Sequence, residues 1–376
     1  MLRKLLMLTT IVLVFSACEV QAGVIHSTWI GDDGGKWRNA NNWDPRIVPD
    51  NSVSRTFAVT ISTAERTRVG FNQDITIDQL DCYGHVDLEI GVNRLQMVHT
   101  NGLTNHGKLE ISGYGGVEHR IDGNITNTSG ACIFISRKVD LHGQFNNNGD
   151  VFARPGSRLM IYDGSLINSG NFLIYNGLLV AQDHDLENSD SGVIQGFGMI
   201  HSDLPIRNQG AIYAYGGSLV VSSEGLLLNT GVLGNKPLSS LHIKPAEDVN
   251  NQGTIEVNAG GGVAFDCNVV NKPSATIQLL GGTLAAASIT QSAGATFEGF
   301  GGITGDIVIV PNGLIKLTGP TNIVGDVEIG ENGTLEISDG TLLIIGHTTN
   351  NGVIHVVHGD VIFQGGYSGN GVVNKN

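Results

Sequence analysis

An asparagine shortly before a glycine recurs along this chain at a nearly constant interval, and no other feature restricts the possible fold as much. It stands at Asn105-His106-Gly107, Asn147-Asn148-Gly149, Asn168-Ser169-Gly170, Asn208-Gln209-Gly210, Asn229-Thr230-Gly231 and Asn251-Gln252-Gly253. Asn127 before Gly130 and Asn188 before Gly192 are looser forms. The signal weakens at Asn271 and at Ala293-Gly294, then returns at Asn312-Gly313, Asn332-Gly333, Asn351-Gly352 and Asn370-Gly371. Thirteen steps separate Gly107 from Gly371. The period is about 20 residues, at the low end of the range that marks solenoids.

Other positions keep phase with the glycine. Two residues after it come Leu109, Cys132, Val151, Phe172, Ile194, Ile212, Leu233, Ile255 and their later equivalents, with Thr296 the one polar exception. Four residues after it come Ile111, Phe134, Ala153, Ile174, Ala214, Val257 and others, with Gly196, Asn235, Glu298 and Lys375 as exceptions. Alternation with one constant apolar face is the pattern of a half-buried strand. A second glycine follows at Gly156, Gly177, Gly217, Gly260, Gly282, Gly301, Gly340 and Gly359, and another apolar run comes after it. Each unit therefore reads as turn, strand, turn, strand and a variable return. The expected fold is all-β, a parallel β-helix (β-solenoid) with rungs of about 20 residues. Asparagine and glycine suit the corners because both tolerate positive φ, and stacked asparagine amides can bond the rungs above and below. The L-x-x-L-x-L pattern of leucine-rich repeats is absent, and no amphipathic segment of period 3.6 is found beyond the first residues.

The chain opens with Arg3 and Lys4, an apolar run from Leu5 to Phe15, and small residues before Cys18. This is the layout of an export signal at residues 1–22, cut after Val20-Gln21-Ala22 or, by a lipobox-like reading of Ser16-Ala17-Cys18, lipidated at Cys18. The expected location is therefore extracellular or on the cell surface. The apolar run is too short to span a bilayer, and no second one follows, so no transmembrane helix is expected. Losing the segment removes two cations and one anion and moves the formal charge from −14 to −15. An acidic chain argues against nucleic acid as a partner. Cys82, Cys132 and Cys267 remain, widely spaced and without a CxxC motif, and are read as buried thiols rather than as a disulfide framework.

The expected domains are the signal (1–22), an N-terminal cap with the first strands (23–100) and the solenoid repeats (101–376). Rungs bury their apolar faces only against neighbours, so both ends need covering. Trp29, Trp37 and Trp43 all lie in the N-terminal segment, where they are expected to form a structural cap. Gly371–Asn376 starts a rung and stops within it, so either another chain is expected to add at this edge or the natural architecture is longer than this sequence.

The segment Thr28-Trp29-Ile30-Gly31, Gly35-Lys36-Trp37, Asn42-Trp43 and Val48-Pro49 gives a W-x-G, G-x-W, NW, P arrangement. It resembles the N-terminal segment of secreted bacterial β-helix proteins, including autotransporter-associated repeat proteins, while the body resembles the pectin-lyase-like superfamily. The resemblance implies export, a right-handed parallel β-helix and, most often, no enzyme activity. The N-T-D, D-D, G-H-G and R-I-K strings of polygalacturonase-like enzymes are missing.

Two surface features are candidates for function. Five residues after the turn glycine, consecutive rungs give Arg154, Tyr175, Phe197, Tyr215 and Lys236; three after it they give Ile133, Phe152, Leu173, Gln195 and Tyr213. Arg154, Tyr175, Phe197, Tyr213, Tyr215 and Lys236 are the candidate ligand-binding set, with rings about 4.8 Å apart suited to stacking on an extended acidic glycan. The alternatives are a sheet-stiffening ladder or a covered patch. The acidic stretch Asp183–Ser191 could hold Ca²⁺ through Asp183, Asp185 and Asp190, although it does not match an EF-hand. The histidines show no metal-ligand spacing beyond His355 and His358. The expected function is a non-catalytic scaffold or adhesion protein. The alternative is a polysaccharide-binding or lyase-like protein, with Arg154 and Arg158 supplying the basic groups.

Overall fold

The computed structural model describes residues 23–112 and 118–376; the expected export signal at 1–22, with Cys18, lies outside them. The described chain is a β-solenoid of about 15 turns. One turn shows the plan. Phe145–Asn147, Asp150–Ala153 and Arg158–Tyr162 form three strands, and each pairs in parallel with its equivalent in the next turn, Leu166–Asn168 and the two ends of Asn171–Ala181. Three parallel sheets result. The first holds the short strands that end on asparagine, the second the strands after the asparagine turn, and the third the strands after the second glycine.

Alternation sends Phe145, Val151, Ala153, Leu159 and Ile161 inward, all at most 1 % exposed, and repetition makes one continuous apolar core along the axis. The last inward residue of each first-sheet strand is the repeated asparagine. Asn105, Asn127, Asn147, Asn168, Asn188, Asn208, Asn229, Asn251 and Asn271 are buried, and each donates from Nδ2 to the side-chain oxygen of its successor at 2.7–2.9 Å, ending on Gln291. Their second N–H bonds satisfy backbone carbonyls in the turns, such as Asn171 O from Asn147 and Ala211 O from Asn188. A buried polar column is thus tolerated because its donors and acceptors meet.

Stacking begins at Val24–Trp29, which pairs in parallel with Thr56–Ser62, so the first turns lie in the N-terminal segment where the asparagine signature is missing. There the ladder position is held by Ile61 and Cys82, aligned beneath Asn105. Ile309 and Ile329 hold it again after Gln291. At the N-terminal end Trp43–Asp44 folds back antiparallel onto Val24–Trp29. Trp29, Trp37 and Trp43 are 4 %, 0 % and 0 % exposed, meet edge to face at 4.6–4.9 Å, and Trp37 stacks on Phe71 at 4.8 Å. Trp37 Nε1 donates to Pro49 O and Trp43 Nε1 to Trp37 O. At the other end Val372–Lys375 pairs with Val353–Val356 on one side, and Val373, stacked on Ile354, is 43 % exposed. No helix among the described residues is long and apolar enough to cross a membrane.

Two turns depart from the phase set by glycine. Cys132 and Phe134 point outward while Ile133 and Ile135 are buried; likewise Thr296 and Glu298 point outward and Phe297 is buried. The cause is that two kinds of glycine occupy the corner. Gly130 and Gly294 sit at the positive-φ position (φ 79° and 75°) that Asn312 and Asn332 fill elsewhere, one residue before the glycine that opens the strand. Counted from the ladder residue instead, inward positions fall at even offsets in both turns, as Ile133 does from Asn127 and Phe297 does from Gln291.

Candidate ligand-binding face

Outward side chains of the second sheet and its following corner stack in columns along the axis. Tyr175 and Phe197, on consecutive turns, meet edge to face at 6.3 Å. Phe197 lies against Gly217 of the next turn, where an added Cβ would come within 3.0 Å of it. Tyr215 is the outward residue after Ala214, which pairs with Gly196, and is 52 % exposed; the register breaks beside Phe197, between Gly196 and Gly198. From the candidate set the structure brings Tyr175 and Phe197 into ring contact and places Tyr215, also partly exposed, on the following turn.

The other three are engaged by their own chain. Lys236 Nζ lies 3.6 Å from the Tyr213 ring centroid, and the Tyr213 hydroxyl donates to Glu256 at 3.3 Å. Burial, followed by the Glu256 charge, pushes the Tyr213 phenol up to about 12. Arg154 pairs with Glu110 at 3.0 Å, with its guanidinium 5.2 Å from the Phe134 ring. The cations expected at the two ends of the column are therefore already partnered.

Beside Arg154, Phe134 and Phe152 stack face to face at 4.8 Å, and Lys108 Nζ lies 4.9 Å from Phe134. Glycine phasing hides this pair by turning Phe134 into the core; counting from Asn127 reveals it. Nearby, the outward-facing Asp87 and Glu110 are nearly buried beneath Arg66, at 2.7 and 3.4 Å, and take further bonds from Ser112 and Ser136. The Asp87 carboxylate raises the Arg66 guanidinium above its usual range. No sequence signal marks that cluster, because Arg66 reaches it from a corner two turns before Glu110.

The third sheet carries Arg158, which spans Glu118 and Asp140 on adjacent turns. Burial and the Glu118 charge raise the Asp140 carboxyl. Arg94 and Arg120 both hold Asp122. Further along lies a shallow depression of ≈ 390 Å³, with Ser218, Ser240, His242, Gly262, Ala264 and Thr283 among its lining.

Asp183 and Asp185 stand in the corner before Leu186–Asn188, and Asp190 in the turn after it. Asp185 pairs with Arg207 at 3.2 Å, and these carboxylates do not form a group of three within ligand reach of one another. His355 faces outward on the second sheet, and His358 lies in the following turn. The thiols of Cys82, Cys132 and Cys267 are free. Comparisons with known protein families, with curated proteins and with solved structures return no match to this chain.

Proposed function

We propose that this chain is an exported, non-catalytic β-solenoid that serves as a cell-surface or extracellular scaffold and adheres to an extended polysaccharide through the Tyr175–Phe197–Tyr215 column. The observation that carries the reading is the placement of three partly exposed rings on three consecutive turns of a rigid stack. Ring faces repeated along one axis match the repeat of an extended sugar chain better than they match a compact ligand. The resemblance of the tryptophan segment to secreted bacterial β-helix proteins, and the leader-like first residues, support export. The engagement of Arg154 and Arg158 by carboxylates of the same chain supports adhesion over lyase chemistry, which needs a basic group free to take a sugar proton.

The test is binding of the exported full chain to a glycan array and to extracellular polysaccharide, beside a Tyr175→Ala/Phe197→Ala/Tyr215→Ala triple variant. Expected are binding by the parent chain and a loss of about tenfold or more in the variant, at an unchanged melting temperature. Absence of binding by the parent chain, or unsaturated products released from a uronate polymer, counts against the reading.

A further inference from the structure

We infer that His201, Asp203 and Glu224 form a binding site for a divalent metal cation of the zinc type, separate from the aromatic column. His201 faces outward near the end of Val193–Ser202, Asp203 opens the next corner, and Glu224 follows Ala211–Ser223 one turn on. The Asp203 amide donates to Ala181 O and the Glu224 amide to Ser202 O, which places the two carboxylates in one column on adjacent turns. One nitrogen or oxygen from each of the three side chains lies within 4.8 Å of the other two, and no other group of three such residues does so among the described residues.

What sets this pair of acids apart is how little balances it. Asp87 and Glu110, also on adjacent turns, share Arg66, and Glu118 and Asp140 share Arg158. Asp306 and Asp326 accept the backbone N–H groups of Asp326 and His347. Asp203 and Glu224 have neither kind of support among the described residues: Asp203 pairs with His201 alone, at 2.9 Å. Lys244, two turns beyond His201 in its column, is turned to Asp266 at 3.3 Å. Two carboxylates on adjacent turns, whose strands lie about 4.8 Å apart, repel when their oxygens approach unless a cation joins them.

The imidazole is oriented for that cation. His201 Nδ1 lies 2.9 Å from Ser222 Oγ, and Ser222 Oγ lies 3.4 Å from Ile200 O. The 2.9 Å contact between Nε2 and Asp203 is a hydrogen bond that needs the proton on Nε2; a cation takes that proton's place, so that Nδ1–H donates to Ser222, the hydroxyl donates onward to Ile200 O, and the Nε2 lone pair meets the metal, the tautomer and outer support that metal-bound histidine uses. Zinc bonds of about 2.0–2.1 Å require ligand atoms about 3.3 Å apart. Rotation of the exposed Glu224 side chain supplies that closure, and the solvent side is left for water. One imidazole and two carboxylates favour zinc, or cobalt in its place, over calcium, which prefers an all-oxygen shell.

The test is titration of the full chain with Co²⁺, followed by displacement with Zn²⁺. Expected are the visible band of four-coordinate Co²⁺, saturation at one equivalent, and movement of the His201 Nε2 resonance in NMR of the unaltered chain. Asp203→Asn and Glu224→Gln weaken binding about tenfold or more, His201→Ala abolishes the band, and Asp183→Asn changes neither. Circular dichroism shows that each variant retains the fold. The inference is overturned if the parent chain gives no band and no His201 shift, if His201→Ala binds as before, or if binding depends on Asp183.

Discussion

Asn168 donates to Asn188 and accepts from Asn147 at full burial. Truncation to alanine would strand a donor on one neighbour and an acceptor on the other, each worth about 1–3 kcal/mol when buried without a partner. Asn168→Ala is therefore expected to lower stability by about 2–4 kcal/mol in denaturant unfolding, and a loss near zero would show that the ladder contributes nothing. Ile309 and Ile329 mark the other solution, an apolar residue with no amide to satisfy. Tyr213 makes a pH-dependent contribution. Its phenol stands at about 12, above the ordinary value of about 10, so the folded state holds the proton more tightly than the unfolded chain does. The associated stability is fully present below about pH 10 and is lost as pH rises through about 12. The melting temperature should fall across that interval more steeply for the parent chain than for Tyr213→Phe, and equal slopes would contradict the assignment.

At the scale of the strand, register decides which side chains function can use. Cys132 aligns with Asp150 on the outer surface, whereas Cys82 occupies the ladder position inside, where burial pushes its thiol up. A thiol reagent is expected to modify Cys132 and the partly buried Cys267 in the native protein and Cys82 only on unfolding. Native protection of Cys132 would restore the inward phase that its glycine suggests. Much of this level was legible in the amino-acid pattern. The asparagine period, two of the three strands of each turn and the stacked amides were readable because one buried amide per turn is chemically demanding and so repeats visibly; the short strand that ends on the ladder asparagine, such as Phe145–Asn147, falls in what reads as a variable return. The first turns were not, since Ile61 and Cys82 fill the same place and look like any other apolar residue. The outward column Tyr175–Phe197–Tyr215 was readable by counting. The pairing of Arg154 with Glu110 and the Arg66 cluster were not, because those contacts join side chains two turns apart.

Across the whole molecule each turn contacts its neighbours and little else, so turns are expected to be interchangeable units. Deleting residues 209–229 joins Asn208 to Thr230 and leaves Asn188, Asn208 and Asn251 as successive ladder residues. That chain should fold, shorter by about 4.8 Å along the axis, as scattering and circular dichroism would report. Deleting 209–219 instead breaks the ladder and should not give a cooperative fold; equal tolerance of both deletions would refute modular stacking. The same ladder also gives the stack a direction. Each ladder amide from Asn127 to Gln291 turns its oxygen toward the earlier turn, and each from Asn105 to Asn271 turns an N–H toward the later one. Backbone dipoles of a sheet largely cancel, whereas dipoles placed head to tail add, as they do along a helix. The interior therefore carries a lengthwise electrical polarity, negative toward Asn105 and positive toward Gln291, in a fold that contains almost no helix.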